Sequence, residues 1–243
     1  MEQLPDDVTR SILYLLDDES LANACKVNEN FSKKICNDTF WIGKIIRKYP
    51  ALGSDDIKRF SRRSYWDYYL QLNEETGNGE YDFDVILSEA IGKGRVDLVK
   101  IALRNGASYP NSLIALGGSK LSSDVIVEIA NLLIYHGADI HYKDDFALIY
   151  AAGKGKTELV RLLIDRGSGN LDRALRDAAE MGHVDTVRLL LERGADVHNK
   201  SDVALYYATT KGHKDVINVL LEYGADPERA QAHNKPVVQL RYI

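Results

Sequence analysis

Four pairs of glycines constrain what this chain can fold into. Gly94/Gly106, Gly155/Gly167, Gly182/Gly194 and Gly212/Gly224 are each 12 residues apart, and a leucine stands 19 residues before the second glycine of each pair, at Leu87, Leu148, Leu175 and Leu205. A unit recurring at about 30 residues folds as a solenoid of stacked copies. The stretch from Asp172 to His198 shows the plan: a short helix over Leu175 to Glu180, Gly182, an amphipathic helix over Val184 to Glu192, then Gly194. In the second helix Val184, Val187, Leu190 and Leu191 share one face while Arg188 and Glu192 turn to water. One helix pair cannot bury that face alone, so neighbouring copies must supply the core.

Smaller signals repeat with the unit. Asp97, Glu158, Asp185 and Asp215 stand near the start of the second helix and Arg166 and Arg193 near its end, as the helix dipole favours. Ala151-Ala152 and Ala178-Ala179 keep the first helix slim, so that pairs approach closely. The segments GHVDTVRLLLERGADVH and GHKDVINVLLEYGADP resemble ankyrin repeats. The resemblance covers roughly residues 81 to 230 and implies five repeats with a partial cap after Pro227. The Thr-Pro-Leu-His tetrapeptide of that family is replaced by Phe146-Ala147-Leu148-Ile149, Arg173-Ala174-Leu175-Arg176 and Val203-Ala204-Leu205-Tyr206. The second repeat carries five extra residues between Leu113 and Gly137, and Gly117-Gly118-Ser119-Lys120 is expected to bulge outward as a loop.

Residues 1 to 50 show no trace of the repeat. Val8, Ile12, Leu15 and Leu16 lie at helical spacing behind Leu4-Pro5; Leu21, Ala24 and Cys25 mark a second helix, and Phe31 and Ile35 a third. A domain of ~50 residues is marginal alone, and this one has more apolar positions than three short helices hide, so some should face a partner. The run LPDDVTRSILYLLDDESLANACKVNENFSKKICNDTFW resembles an F-box. That resemblance implies docking on the Skp-family adaptor of a cullin–RING ubiquitin ligase. Leu4, Pro5, Val8, Ile12, Leu15, Leu16, Leu21 and Val27 would then make the apolar contact, or several of them would simply complete the local core; Phe31, Ile35 and Trp41 are expected to pack inward. F-box proteins with ankyrin repeats are similar to those of large DNA viruses and intracellular bacteria.

Residues 51 to 80 read as a linker containing a helix. Arg59, Arg62 and Arg63 beside Tyr65, Trp66, Tyr68 and Tyr69 suggest base stacking on a single strand, but bracing of the first repeat against the N-terminal helices is the better account. The expected organisation is all-α: an F-box-like three-helix domain at 1–50, a helical linker at 51–80, and an ankyrin α-solenoid at 81–243.

Chemistry finds little foothold. The net charge of -5 disfavours a general nucleic-acid binder, and no apolar run approaches the ~18 residues that span a bilayer. With only Cys25 and Cys36 and no secretory signal, a reducing, cytoplasmic location is expected, that of a host cell included. Gly153-Lys154-Gly155-Lys156-Thr157 hints at a phosphate loop, but Tyr150 occupies the place of its first glycine and no strand precedes it. His183 and His213 sit at equivalent places one repeat apart, too far to share a metal, and are assigned to local hydrogen bonding; His136 and His141 flank a glycine turn without cysteine or clustered carboxylates. No catalytic residue, metal or cofactor is expected.

The ankyrin resemblance implies instead a binding strip along hairpin tips and inner helices. It comprises Tyr142, Lys143, Asp145 and Lys154, then Asn170, Asp172, Arg176, Glu180 and Met181, then Asn199, Lys200, Asp202, Tyr206 and Lys211. The expected function is a monomeric substrate-recognition adaptor of a ubiquitin ligase, binding neither nucleic acid nor membrane, with an unidentified protein as target. The alternative is a module that sequesters a partner without any ligase, its N-terminal helices serving as a cap.

Overall fold

The computed structural model describes residue 20 and residues 38–60, 65–77 and 82–231. Among them the chain is helical, without a strand. It divides into two compact units, Met1–Leu87 with Asp97–Ala107, and Ser88–Val96 with Ser108–Ile243.

In the first unit, α1 (Asp38–Lys48), α2 (Ser54–Phe60) and α3 (Tyr65–Glu75) are short helices; acidic Asp55 and Asp56 opening α2 and basic Arg47 and Lys48 closing α1 suit the helix dipole, whereas α3 ends on Glu74 and Glu75. They hold together through fully buried Ile45, Leu52, Ile57 and Leu72. Trp41 is buried as expected, its ring centroid 5.9 Å from that of Tyr69. Helix α4 (Phe83–Lys93) begins in this unit and belongs to the second from Ser88 on, and α5 (Val96–Arg104) belongs to this one from Asp97 on. The aromatic linker does brace α5: the buried Tyr68 hydroxyl donates to Asp97 Oδ2 at 2.7 Å. Tyr68→Phe removes that donor from a carboxylate with no solvent exposure. It is expected to lower the unfolding free energy by about 1–3 kcal/mol, read as a drop in the urea midpoint.

The second unit repeats one plan. Inner helices α6 (Ser112–Gly118), α8 (Tyr142–Gly153), α10 (Leu171–Met181) and α12 (Asn199–Lys211) pack side by side, ending on the short α14 (Pro227–Gln231). Outer helices α7 (Ser123–Tyr135), α9 (Thr157–Asp165), α11 (Val184–Glu192) and α13 (Lys214–Glu222) form the second layer. The predicted core is observed with one exchange: on α11 Val184 is half-buried, while Leu189, outside the expected face, is buried. Leu148, Leu175 and Leu205 are buried, as are Leu163, Leu190 and Leu220 on the outer helices, each side chain contributing about 1.5–3 kcal/mol. Ala151, Ala152, Ala178 and Ala179 have no exposed surface, so the inner helices approach without side-chain spacers.

On the last outer helix among the described residues, the same positions look different. Val187 and Leu191 on α11 are buried, whereas Leu221, the counterpart of Leu191 on α13, is 41% exposed. It lines a cavity of about 370 Å³ with Ile217, Leu205, Pro227 and Ala230. The expected outward loop at Gly117 is not seen: Gly117 and Gly118 finish α6, and only Ser119 to Ser122 leave the helix. The reason is packing, because Gly117 is buried against the Tyr150 ring and the α8 backbone.

Candidate target-binding surface

The hairpin tips of the second unit are built on an unusual turn. Lys143, Asp144 and Asp145 all have positive φ, at 52°, 61° and 58°, and Lys200, Ser201 and Asp202 repeat it at 46°, 56° and 58°. Non-glycine residues in this region cost about 1–2 kcal/mol each. The turn aims the third residue of each trio inward, where it meets its compensation. Asp145 Oδ2 accepts the backbone N–H of Gly169 at 2.9 Å and of Asn170 at 3.1 Å, while His141 Nδ1–H donates to its Oδ1 at 2.7 Å. Asp202 Oδ1 accepts the N–H of Asp226 at 2.9 Å and His198 Nδ1–H at 2.9 Å, with Arg229 Nε 3.2 Å from Oδ2. Asp172 Oδ1 takes the N–H of Asp196 at 2.8 Å, and its Oδ2 the Asn199 amide at 2.9 Å. In all three cases the donor lies 24 residues further on, in the next repeat.

These bonds correct the expected binding strip. Asp145 and Asp202 are 7% and 0% exposed and are interior staples between repeats, not residues offered to a target. Asn170, Asp172 and Asn199 are half-buried and engaged in the same loop-to-loop bonding. Lys143, Lys154, Met181, Lys200 and Lys211 are exposed, and Tyr142, Arg176, Glu180 and Tyr206 half-buried. Three of these enter ion pairs, Arg176 with Asp177 at 2.6 Å and Glu180 with Lys211 at 3.7 Å. Phe146, 38% exposed on α8, and Arg173, paired to Asp144 at 2.7 Å, belong to the same side and were not in the expected set. The i, i+4, i+8 spacing of Phe146, Tyr150 and Lys154 was the available signal.

The histidines bond across repeats rather than locally. His183 Nε2–H donates to the Gly153 carbonyl at 3.0 Å, and His213 Nε2–H to that of Glu180 at 2.9 Å, each reaching the end of the preceding inner helix. A Cβ on Gly155 would lie 2.6 Å from His183 Nδ1, and one on Gly182 2.7 Å from His213 Nδ1. Glycine therefore makes room for the imidazole of the following repeat. The glycine-lysine run is an ordinary turn between α8 and α9, where Thr157 shares a 2.8 Å hydrogen bond with Thr186. Among the described residues no three His, Cys, Asp or Glu side chains converge as for a metal, and no helix is long and apolar enough to cross a membrane. Leu4, Pro5, Val8, Ile12, Leu15, Leu16, Leu21 and Val27, with Phe31 and Ile35, lie outside the described residues.

Stacked helix pairs with a polar, aromatic strip along their inner helices define a repeat protein whose business is recognition. The family model for ankyrin repeats (3 copies) matches residues 121–201, that for a further ankyrin repeat residues 200–231, and that for an F-box domain residues 1–43. The chain is an ankyrin-repeat protein with an N-terminal F-box. Both are non-catalytic protein-interaction domains, the first implying a protein target and the second a Skp-type partner. A search of curated proteins found no match.

Proposed function

We propose that this chain is the substrate-recognition adaptor of a cullin–RING ubiquitin ligase. The F-box docks the Skp-family adaptor through Leu4, Pro5, Val8, Ile12, Leu15, Leu16, Leu21 and Val27, and the exposed inner-helix side of the repeats holds a protein target in the cytoplasm. The observation that carries this reading is the presence in one chain of an F-box match at 1–43 and ankyrin matches from 121 to 231. The chain performs no bond-making step. It raises the effective concentration of the target at the ligase, so that an encounter between separate molecules becomes nearly intramolecular.

Co-purification of the folded full chain with a Skp-family adaptor tests the docking arm. A complex is expected, and Leu4→Ala with Pro5→Ala should weaken it about tenfold or more, as loss of central apolar anchors does, with the melting temperature of the repeats unchanged. Failure of the intact, folded chain to bind the adaptor eliminates the ligase role and leaves a module that sequesters its target.

A further inference from the structure

The strip has one place where aromatic surface and unneutralised positive charge coincide. Phe146 and Tyr150 on α8 and Lys154, the residue that caps its end, stand four residues apart in a row. The Phe146 and Tyr150 rings are stacked, with centroids 6.0 Å apart and planes at 17°. The Lys154 ammonium lies 5.3 Å from the centre of the Tyr150 ring. Gly117 and Gly118 let Tyr150 settle there, because a Cβ on either would meet its ring or hydroxyl at 3.2 Å. At the start of the same helix the Lys143 ammonium lies 5.1 Å from the centre of the Tyr142 ring.

The carboxylates nearby are already engaged. Asp144 pairs with Arg173, Asp177 with Arg176 and Glu180 with Lys211, while Asp145 is turned inward to the loop amides. Lys143 and Lys154 enter no ion pair among the described residues. Stacking against aromatic faces holds both ammonium groups in place without cancelling their charge. A complementary ligand carries carboxylates for the lysines and an apolar side chain for the Phe146–Tyr150 step. A nucleic-acid strand fits less well, since the whole chain carries -5 and the face offers few cations for a phosphate backbone.

We propose that this row is the anchor of the target surface and that it takes an acidic peptide segment bearing an apolar or aromatic side chain. The proposal rests on the reading of the repeats as the target-binding part. Its test uses the full chain and fluorescence anisotropy with a labelled probe peptide of the pattern Glu-Glu-Phe-Leu-Glu-Glu. Comparison probes replace every Glu by Gln or by Lys, and a single-stranded oligonucleotide completes the set. The acidic probe should bind about tenfold or more tightly than its Gln counterpart and weaken with added salt. Lys154→Glu and Phe146→Ala should each cut its affinity by about fivefold to tenfold with the melting temperature unchanged. Equal binding of the Glu and Gln probes, absence of binding by the acidic probe, tighter binding of the oligonucleotide, or indifference to Lys154→Glu would overturn the proposal. Binding of the Lys probe to this side would overturn the acidic assignment while leaving the target-binding reading standing, and neither result touches adaptor docking.

Discussion

Gly182→Val is expected to destabilise the second unit by about 3–5 kcal/mol, among the larger effects of a single substitution. Two separate terms add. Gly182 has φ 80°, which a β-branched residue adopts at a cost of about 1–2 kcal/mol. The new Cβ would also stand 2.7 Å from His213 Nδ1 and expel the imidazole, breaking its bond to the Glu180 carbonyl, for about 2–3 kcal/mol of overpacking and lost hydrogen bonding together. Gly212 provides the control within the same molecule. Its φ is 77°, but a Cβ there meets nothing within 4 Å, so Gly212→Val should show the backbone term alone. Equilibrium urea unfolding followed by far-UV circular dichroism measures both variants. Equal losses would show that the contact with His213 contributes nothing.

Asp202→Ala should cost about 2–4 kcal/mol, because loss of a carboxylate with no solvent exposure leaves two donors behind, on Asp226 and His198, and removes the charge that Arg229 pairs with. Alanine also keeps the left-handed backbone at φ 58° without the local bonding that makes it tolerable. Asp202→Asn separates these contributions. Asparagine tolerates this backbone region well, and its carbonyl oxygen still accepts the Asp226 N–H, so roughly half the loss should return. Thermal unfolding reads the order wild type, Asn, Ala, at roughly 2–4 °C per kcal/mol for a chain of this size. A variant as stable as the wild type would mean that the tip of this repeat is not held by its aspartate.

Much of the architecture was legible because it depends on spacing. Leu148, Leu175 and Leu205 recur at the period of the unit, and a side chain that recurs so must face the same layer in every copy, which is where burial places it. The slim alanine pairs and the bracing role of Tyr68 follow from side-chain size and from the need to cover an end repeat. The binding strip was less legible. Asp145 and Asp202 read as polar tips, yet three consecutive left-handed residues turn each of them inward to an amide 24 residues away. Phe146 reads as part of a substituted tetrapeptide and is partly on the surface. The glycine-rich end of α6 reads as a loop until Tyr150 is seen lying against it.

The string of residues by itself determined the repeat, its helices, its layers and the two families, since these rest on local propensity and on a period that the chain carries openly. Tertiary structure alone decided which glycine faces which histidine, which aspartate staples the following loop and which aromatic row stays open. Those pairings depend on how far each copy is shifted against the next when apolar faces close. That offset is set by the packing of many side chains at once and is written in no single segment.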